Sequence, residues 1–207
     1  MKTLTKEMQD AITSSTALQL LKDGNKRFVN NLKINRNLLQ QANETSDGQH
    51  PFAVILSCID SRTSAELVFD QGIGDVFSIR IAGNIVNEDI LGSMEFGCKV
   101  AGAKIILILG HTKCGAVKGA CDNVALGNLT GLIAKIKTAV VQESITAENR
   151  NSSNGVFVEN VAELNVSLSV KNILLKSPII AEMVKNGDIG IVGGIHEITT
   201  GEVKFFE

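Results

Sequence analysis

The chain has no tryptophan and no tyrosine, and its 8 phenylalanines are all the aromatic residues among 207. A nucleic-acid surface built on base stacking is therefore short of platforms. Charge points the same way. The 20 Lys and Arg against 22 Asp and Glu leave a formal net charge of −2, with no basic excess to neutralise phosphates or an anionic membrane. Proline occurs twice and histidine three times. No apolar stretch is long enough to cross a bilayer. The opening residues, Met1-Lys2-Thr3-Leu4-Thr5-Lys6-Glu7, lack the apolar centre of a secretion signal. Together these absences predict a cytoplasmic protein that binds neither nucleic acid nor membrane. In that compartment its four cysteines argue for metal or catalysis rather than disulfides.

What is present is a core. Hydrophobic residues make up 44 % of the chain, enough for one domain over 1–207 with a helical N-terminal arm over 1–48. The spacing predicts helices over 15–31 and around Leu38, Leu39 and Ala42, each with a narrow apolar face that packs on its own sheet or on a partner subunit. Apolar runs at 52–56, 76–81, 104–109 and 188–195 read as buried strands. Helices are predicted over 64–69 (capped by Ser61 or Thr63), 89–101, 115–126, 129–141, 156–175 and 179–185. Thr199-Thr200-Gly201-Glu202 reads as a turn into an antiparallel strand over 203–206. The fold class is α/β, a mostly parallel sheet flanked by helices with an antiparallel C-terminal edge strand.

Chemistry concentrates at two strand ends. Ser57-Cys58-Ile59-Asp60-Ser61-Arg62 follows the first run, and His111-Thr112-Lys113-Cys114-Gly115 follows the third, which Gly110 ends. Ligands of open α/β sheets bind at that edge. If the two strands are neighbours, Cys58, His111 and Cys114 converge. Two thiolates and an imidazole with a fourth position open are the ligand set of a catalytic zinc. Cys98 and Cys121 fall in apolar helical surroundings and read as core residues.

The pair Cys58-Ile59-Asp60-Ser61-Arg62 and His111-Thr112-Lys113-Cys114-Gly115 resembles the β-class carbonic anhydrases. So do Phe69-Asp70-Gln71-Gly72, Ile79-Arg80-Ile81-Ala82-Gly83-Asn84, Gly92-Ser93-Met94-Glu95-Phe96-Gly97 and the Gly193-Gly194 strand. The resemblance implies one Zn²⁺ per chain, reversible hydration of carbon dioxide to bicarbonate and a proton through a zinc-bound hydroxide, and a homodimer or homotetramer with the site near the subunit interface. It also implies N-terminal helices that pack on the partner subunit, Gln49 (reaching across the dimer) and Phe77 as substrate-binding residues, and Asp60 either off the metal or as its fourth ligand at rest.

The residues add a mechanism. Two thiolates cancel the charge of Zn²⁺, so a further group must favour hydroxide. Asp60 accepts its hydrogen bond and Arg62 holds Asp60 by a bidentate pair. The backbone N–H of Gly115, at a helix start, faces developing negative charge. Arg80 reads as a structural or interface ion pair. Phe96 stands where plant-type relatives often carry tyrosine. Two alternatives remain open at this stage: a zinc hydrolase of carbonyl sulfide or carbon disulfide, and a non-catalytic zinc-binding regulatory protein.

Overall fold

The computed structural model of the chain describes residues 3–206. Strands β1 (Ala53–Ser57), β2 (Val76–Arg80), β3 (Ile105–His111), β4 (Gly190–His196) and β5 (Val203–Phe205) form one sheet in the order β2-β1-β3-β4-β5. The first four are parallel, and β5 pairs antiparallel with β4. Every residue of β1 and β3 is buried, as unbroken apolar strands at a sheet centre require. β2 is an edge strand, and none of its five residues is fully buried.

Among the described residues ten α-helices flank the sheet: α1 (Lys6–Ala11), α2 (Ser14–Val29), α3 (Leu38–Glu44), α4 (Ala65–Val68), α5 (Glu88–Glu95), α6 (Gly115–Cys121), α7 (Gly127–Ile133), α8 (Lys137–Gln142), α9 (Gly155–Lys176) and α10 (Pro178–Lys185). Short side chains begin many of them. The oxygens of Thr5, Thr13, Asn37, Asn87, Asn154 and Ser177 each accept a backbone N–H of the first turn. Strand alternation then divides the core. Val54, Leu56, Ile106 and Ile108 face Met94, Val117, Phe157, Val161 and Ile173. Ala53, Ile55, Ile105, Leu107 and Leu109 face Ala17 and Leu21 of α2 and Val68 and Phe69 at α4. The apolar face of α2 is thus spent on its own sheet. Among the described residues no helix is long and apolar enough to cross a membrane.

Several local expectations are corrected. β3 does not end at Gly110. Gly110 and His111 stay in the sheet because Ile195 and His196 of β4 pair with them. The stretch 129–141 is two helices, broken near Ile136, whose side chain is fully buried. The helix after Cys114 stops at Cys121 rather than at 126. Neither Ser61 nor Thr63 caps α4. Ser64 holds that position, and its hydroxyl donates to Glu66 instead. The helix over 89–101 closes on a wider turn, with the N–H of Ala101 donating to the carbonyl of Phe96 five residues back. α1 had no counterpart in the sequence reading.

Candidate metal centre

β1 and β3 lie side by side in register, Ser57 opposite Leu109. Cys58 follows β1, His111 closes β3, and Cys114 stands at the N-cap of α6. All three are buried. Their donor atoms lie within 4.8 Å of one another, and the two sulfurs are 4.0 Å apart. Two sulfurs bound tetrahedrally at ~2.3 Å from one ion would stand about 3.8 Å apart, so the spacing suits zinc without rearrangement. The imidazole is turned for the same task. His111 Nδ1 donates to the Thr112 carbonyl at 2.9 Å, which fixes the ring and turns Nε2 toward the two thiols. That Nε2 is buried and has no hydrogen-bond partner among the described residues. A buried imidazole nitrogen beside two thiols is a donor set that could hold a metal ion.

The thiols do not ionise alike. Contact with Cys114 lowers Cys58, and His111 and the N–H of Gly83, 3.3 Å from its sulfur, add to the effect against a burial penalty. Cys114 is raised because a neighbouring Cys58 thiolate opposes a second negative charge, and burial raises it further. A cation between them removes that opposition. Burial pushes Cys98 up to about 12 and Cys121 up to about 11, so both remain inert core thiols.

Asp60 borders the cluster, its Oδ2 3.9 Å from His111 Nε2. Arg62 grips it twice, Nε to Oδ1 at 2.9 Å and Nη2 to Oδ2 at 2.8 Å. The Arg62 hydrogen bonds hold the carboxyl far below the ordinary carboxylate range. Three further groups set the loops. Arg80, at the end of β2, donates to the carbonyls of Cys58 (3.1 Å) and Asp60 (2.7 Å). Asn165 of α9 donates to the Gly83 carbonyl at 3.0 Å. Thr63 Oγ1 stands 3.3 Å from His196 Nδ1 and its N–H donates to the Asp60 carbonyl. Burial, then the neighbouring His111, lowers His196 to about 4, so it stays a neutral part of this frame.

A carbonic anhydrase family model matches residues 53–203, the span that holds strands β1 to β4 and all three donors. Carbonic anhydrase 2 of Mycobacterium tuberculosis is 33 % identical over 192 residues, covering 89 % of each chain. A carbonic anhydrase of Mycolicibacterium smegmatis is 32 % identical over 190 residues, covering 91 % of each. The chain belongs to the carbonic anhydrase family. Solved structures place it in the β class. The β-carbonic anhydrase CafA of Aspergillus fumigatus superposes with a TM-score of 0.72 at 26 % identity, over 93 % of this chain and 90 % of that one. One of two β-carbonic anhydrases of Sordaria macrospora described as tetrameric gives 0.71 at 25 % identity, over 79 % and 84 %.

Not every residue expected at a carbonic anhydrase site is brought there. Gln49 is exposed and precedes the amino end of β1, while Cys58 follows its carboxyl end. Phe52 already hydrogen-bonds to Asp75 and Lys104 beside β2 and β3, so six extended residue steps, roughly 20 Å, separate it from Cys58. Three residues of chain span at most ~11 Å, so Gln49 does not reach the centre of its own chain. Phe77 sits on β2, stacked edge-on to Phe96 with centroids 6.2 Å apart. Both line an open cavity of about 670 Å³ that contains none of the three donors. Gly115 is exposed at the start of α6, next to Cys114. Arg80 makes no ion pair among the described residues. Its work on two carbonyls of the Cys58 loop had no sequence signal beyond its place at a strand end beside that loop.

Proposed function

We propose that this chain interconverts carbon dioxide and bicarbonate at one zinc ion held by Cys58 Sγ, His111 Nε2 and Cys114 Sγ. One observation carries the reading: a buried His111 Nε2 without a hydrogen-bond partner among the described residues, inside a two-thiol cluster, beside a carboxylate locked by an arginine. Zinc there supplies a Lewis acid that brings a coordinated water's pKa down toward neutrality, to about 7 in a carbonic anhydrase with three histidine ligands.

The chain's own residues do the rest. Asp60 remains ionised because of Arg62 and accepts a hydrogen bond from the reacting solvent molecule, turning its lone pair toward the substrate. Arg62 keeps Asp60 on that duty and away from direct ligation. The exposed N–H of Gly115 offers a donor for charge developing on the substrate oxygen. Phe77 supplies apolar wall and Gln49 a polar contact, and both act in the site of a second copy. The edge position of β2 and a Phe96 that is 54 % exposed support a homodimer joined along that side, itself able to pair into a tetramer. The whole chain works as one domain, with 1–48 as its arm, in the cytoplasm.

Stopped-flow measurement of carbon dioxide hydration, with zinc counted per chain, tests the reading. One zinc per chain with fast hydration sustains it. One zinc with no hydration would transfer the site to a related hydrolase or to a regulatory protein.

A further inference from the structure

A second cavity, of about 390 Å³, opens between the segment after Gly83, α8 and the carboxyl half of α9, and contains none of the three donors. Lys135 and Lys176 stand at its exposed rim with Thr138 and Asn172. Its floor is polar and deeply buried: Asn165 is 5 % exposed and Ser169 4 %. No carboxylate lines it.

The imbalance is local. The chain as a whole is slightly acidic, and its buried or half-buried arginines are matched, Arg27 and Arg36 by Asp70 and Arg150 by Glu143. Around this cavity the matching fails. The side chains of Lys135, Lys176, Thr138, Ser169 and Asn172 make no hydrogen bond or ion pair among the described residues. Two ammonium groups on one rim have no carboxylate partner there, and the Ser169 hydroxyl on the floor makes no hydrogen bond among the described residues. The floor is already set, because Asn165 is fixed by its bond to the Gly83 carbonyl. The volume equals roughly a dozen waters at ~30 Å³ each, room for a tetrahedral ion with part of its hydration.

We propose that this cavity binds a small dianionic oxyanion of the phosphate or sulfate class, with its charge met by Lys135 and Lys176 and its oxygens by Ser169, Thr138 and Asn172. Two positive charges and no negative one complement a dianion, and hydroxyl and amide donors suit its several acceptor oxygens.

Inorganic phosphate titrated calorimetrically into the zinc-loaded protein at low ionic strength tests this. The expected result is saturable binding of one ion per chain, competed by sulfate. Lys135→Met and Lys176→Met, each an exposed change that leaves the fold intact, weaken it about tenfold each. Lys171→Met, on the same helix but outside the cavity, leaves it unchanged. An absence of saturable binding overturns the proposal. So does binding that both cavity variants retain in full, since the ion would then sit elsewhere, including at the metal.

Discussion

Arg80 offers the sharpest test of how the site is held. Arg80→Met keeps the apolar stem and removes both donors. Two charge-assisted bonds are lost, one to the carbonyl of Cys58 and one to that of Asp60. Such bonds are worth about 1.5–3 kcal/mol each when buried, and exposure of this arginine reduces the pair to roughly 2 kcal/mol of stability. The catalytic effect should be larger in proportion. Freed of Arg80, the turn from Cys58 to Asp60 can shift, and a misplacement of ~1 Å at a reacting centre costs on the order of 100-fold. The expected outcome is a kcat lowered roughly 10- to 100-fold in carbon dioxide hydration with KM changed far less, while zinc stays near one per chain because all three ligands remain. Arg80→Lys should recover only part of the loss, since one ammonium cannot span two carbonyls as the guanidinium fork does. A variant that keeps its zinc and turns over within about twofold of the parent would refute the reasoning. Activity lost only in step with lost zinc would make Arg80 purely structural.

Further outcomes follow from the same geometry. Asp60→Asn keeps the shape and removes the charge, so turnover should fall while zinc content holds, and full activity in that variant would remove Asp60 from the mechanism. Gly83→Ala puts a Cβ 2.6 Å from Ile136 Cδ1 and 3.1 Å from Ala116 Cβ at a φ of +66°, which should cost about 2–4 kcal/mol in urea unfolding. Stripping zinc with a chelator should lower the melting temperature by about 10 °C, from roughly 4 kcal/mol of linkage at a thousandfold excess over Kd and 2–4 °C per kcal/mol for a chain this size; an unchanged melting curve would show that no metal was bound. Burial raises Asp70, but hydrogen bonds and charge from Arg27 and Arg36 outweigh it, so its folded value lies below the unfolded one. Its contribution to stability is then present above the unfolded carboxyl value near 3.9 and is lost as pH falls through the lower folded value. Acid unfolding of Asp70→Asn, monitored by circular dichroism, should accordingly depend less on pH below 4.

Much of the architecture was legible because it rests on short-range signals. Unbroken apolar runs at 52–56 and 104–109 mark the two central strands, and a glycine follows closely after α3, α4 and α10. The donor trio was legible for the same reason: both motifs sit where such strands stop. What escaped depends on partners distant in sequence. β3 continues through His111 only because β4 is long enough to pair with it. The break near Ile136 carries no glycine or proline. It answers to the fully buried side chain of that residue. α1 offers one buried residue, Gln9, which donates to the carbonyls of Pro51 and Ala101, and so has no apolar stripe to betray it. Gln49 lies before the amino end of β1, so spacing along the chain alone does not bring it to the centre of its own chain. Arg80 was seen as a charge seeking a charge, whereas it serves two carbonyls.

The pairing of β1 with β3 has one more effect. Side chains of a strand alternate between faces, so a slip of one residue would carry Cys58 to the opposite side of the sheet from its present neighbours Val54 and Leu56. A molecule assembled out of step could not gather its sulfur and nitrogen donors. Only chains whose strands have aligned correctly could therefore hold an ion at the three donors.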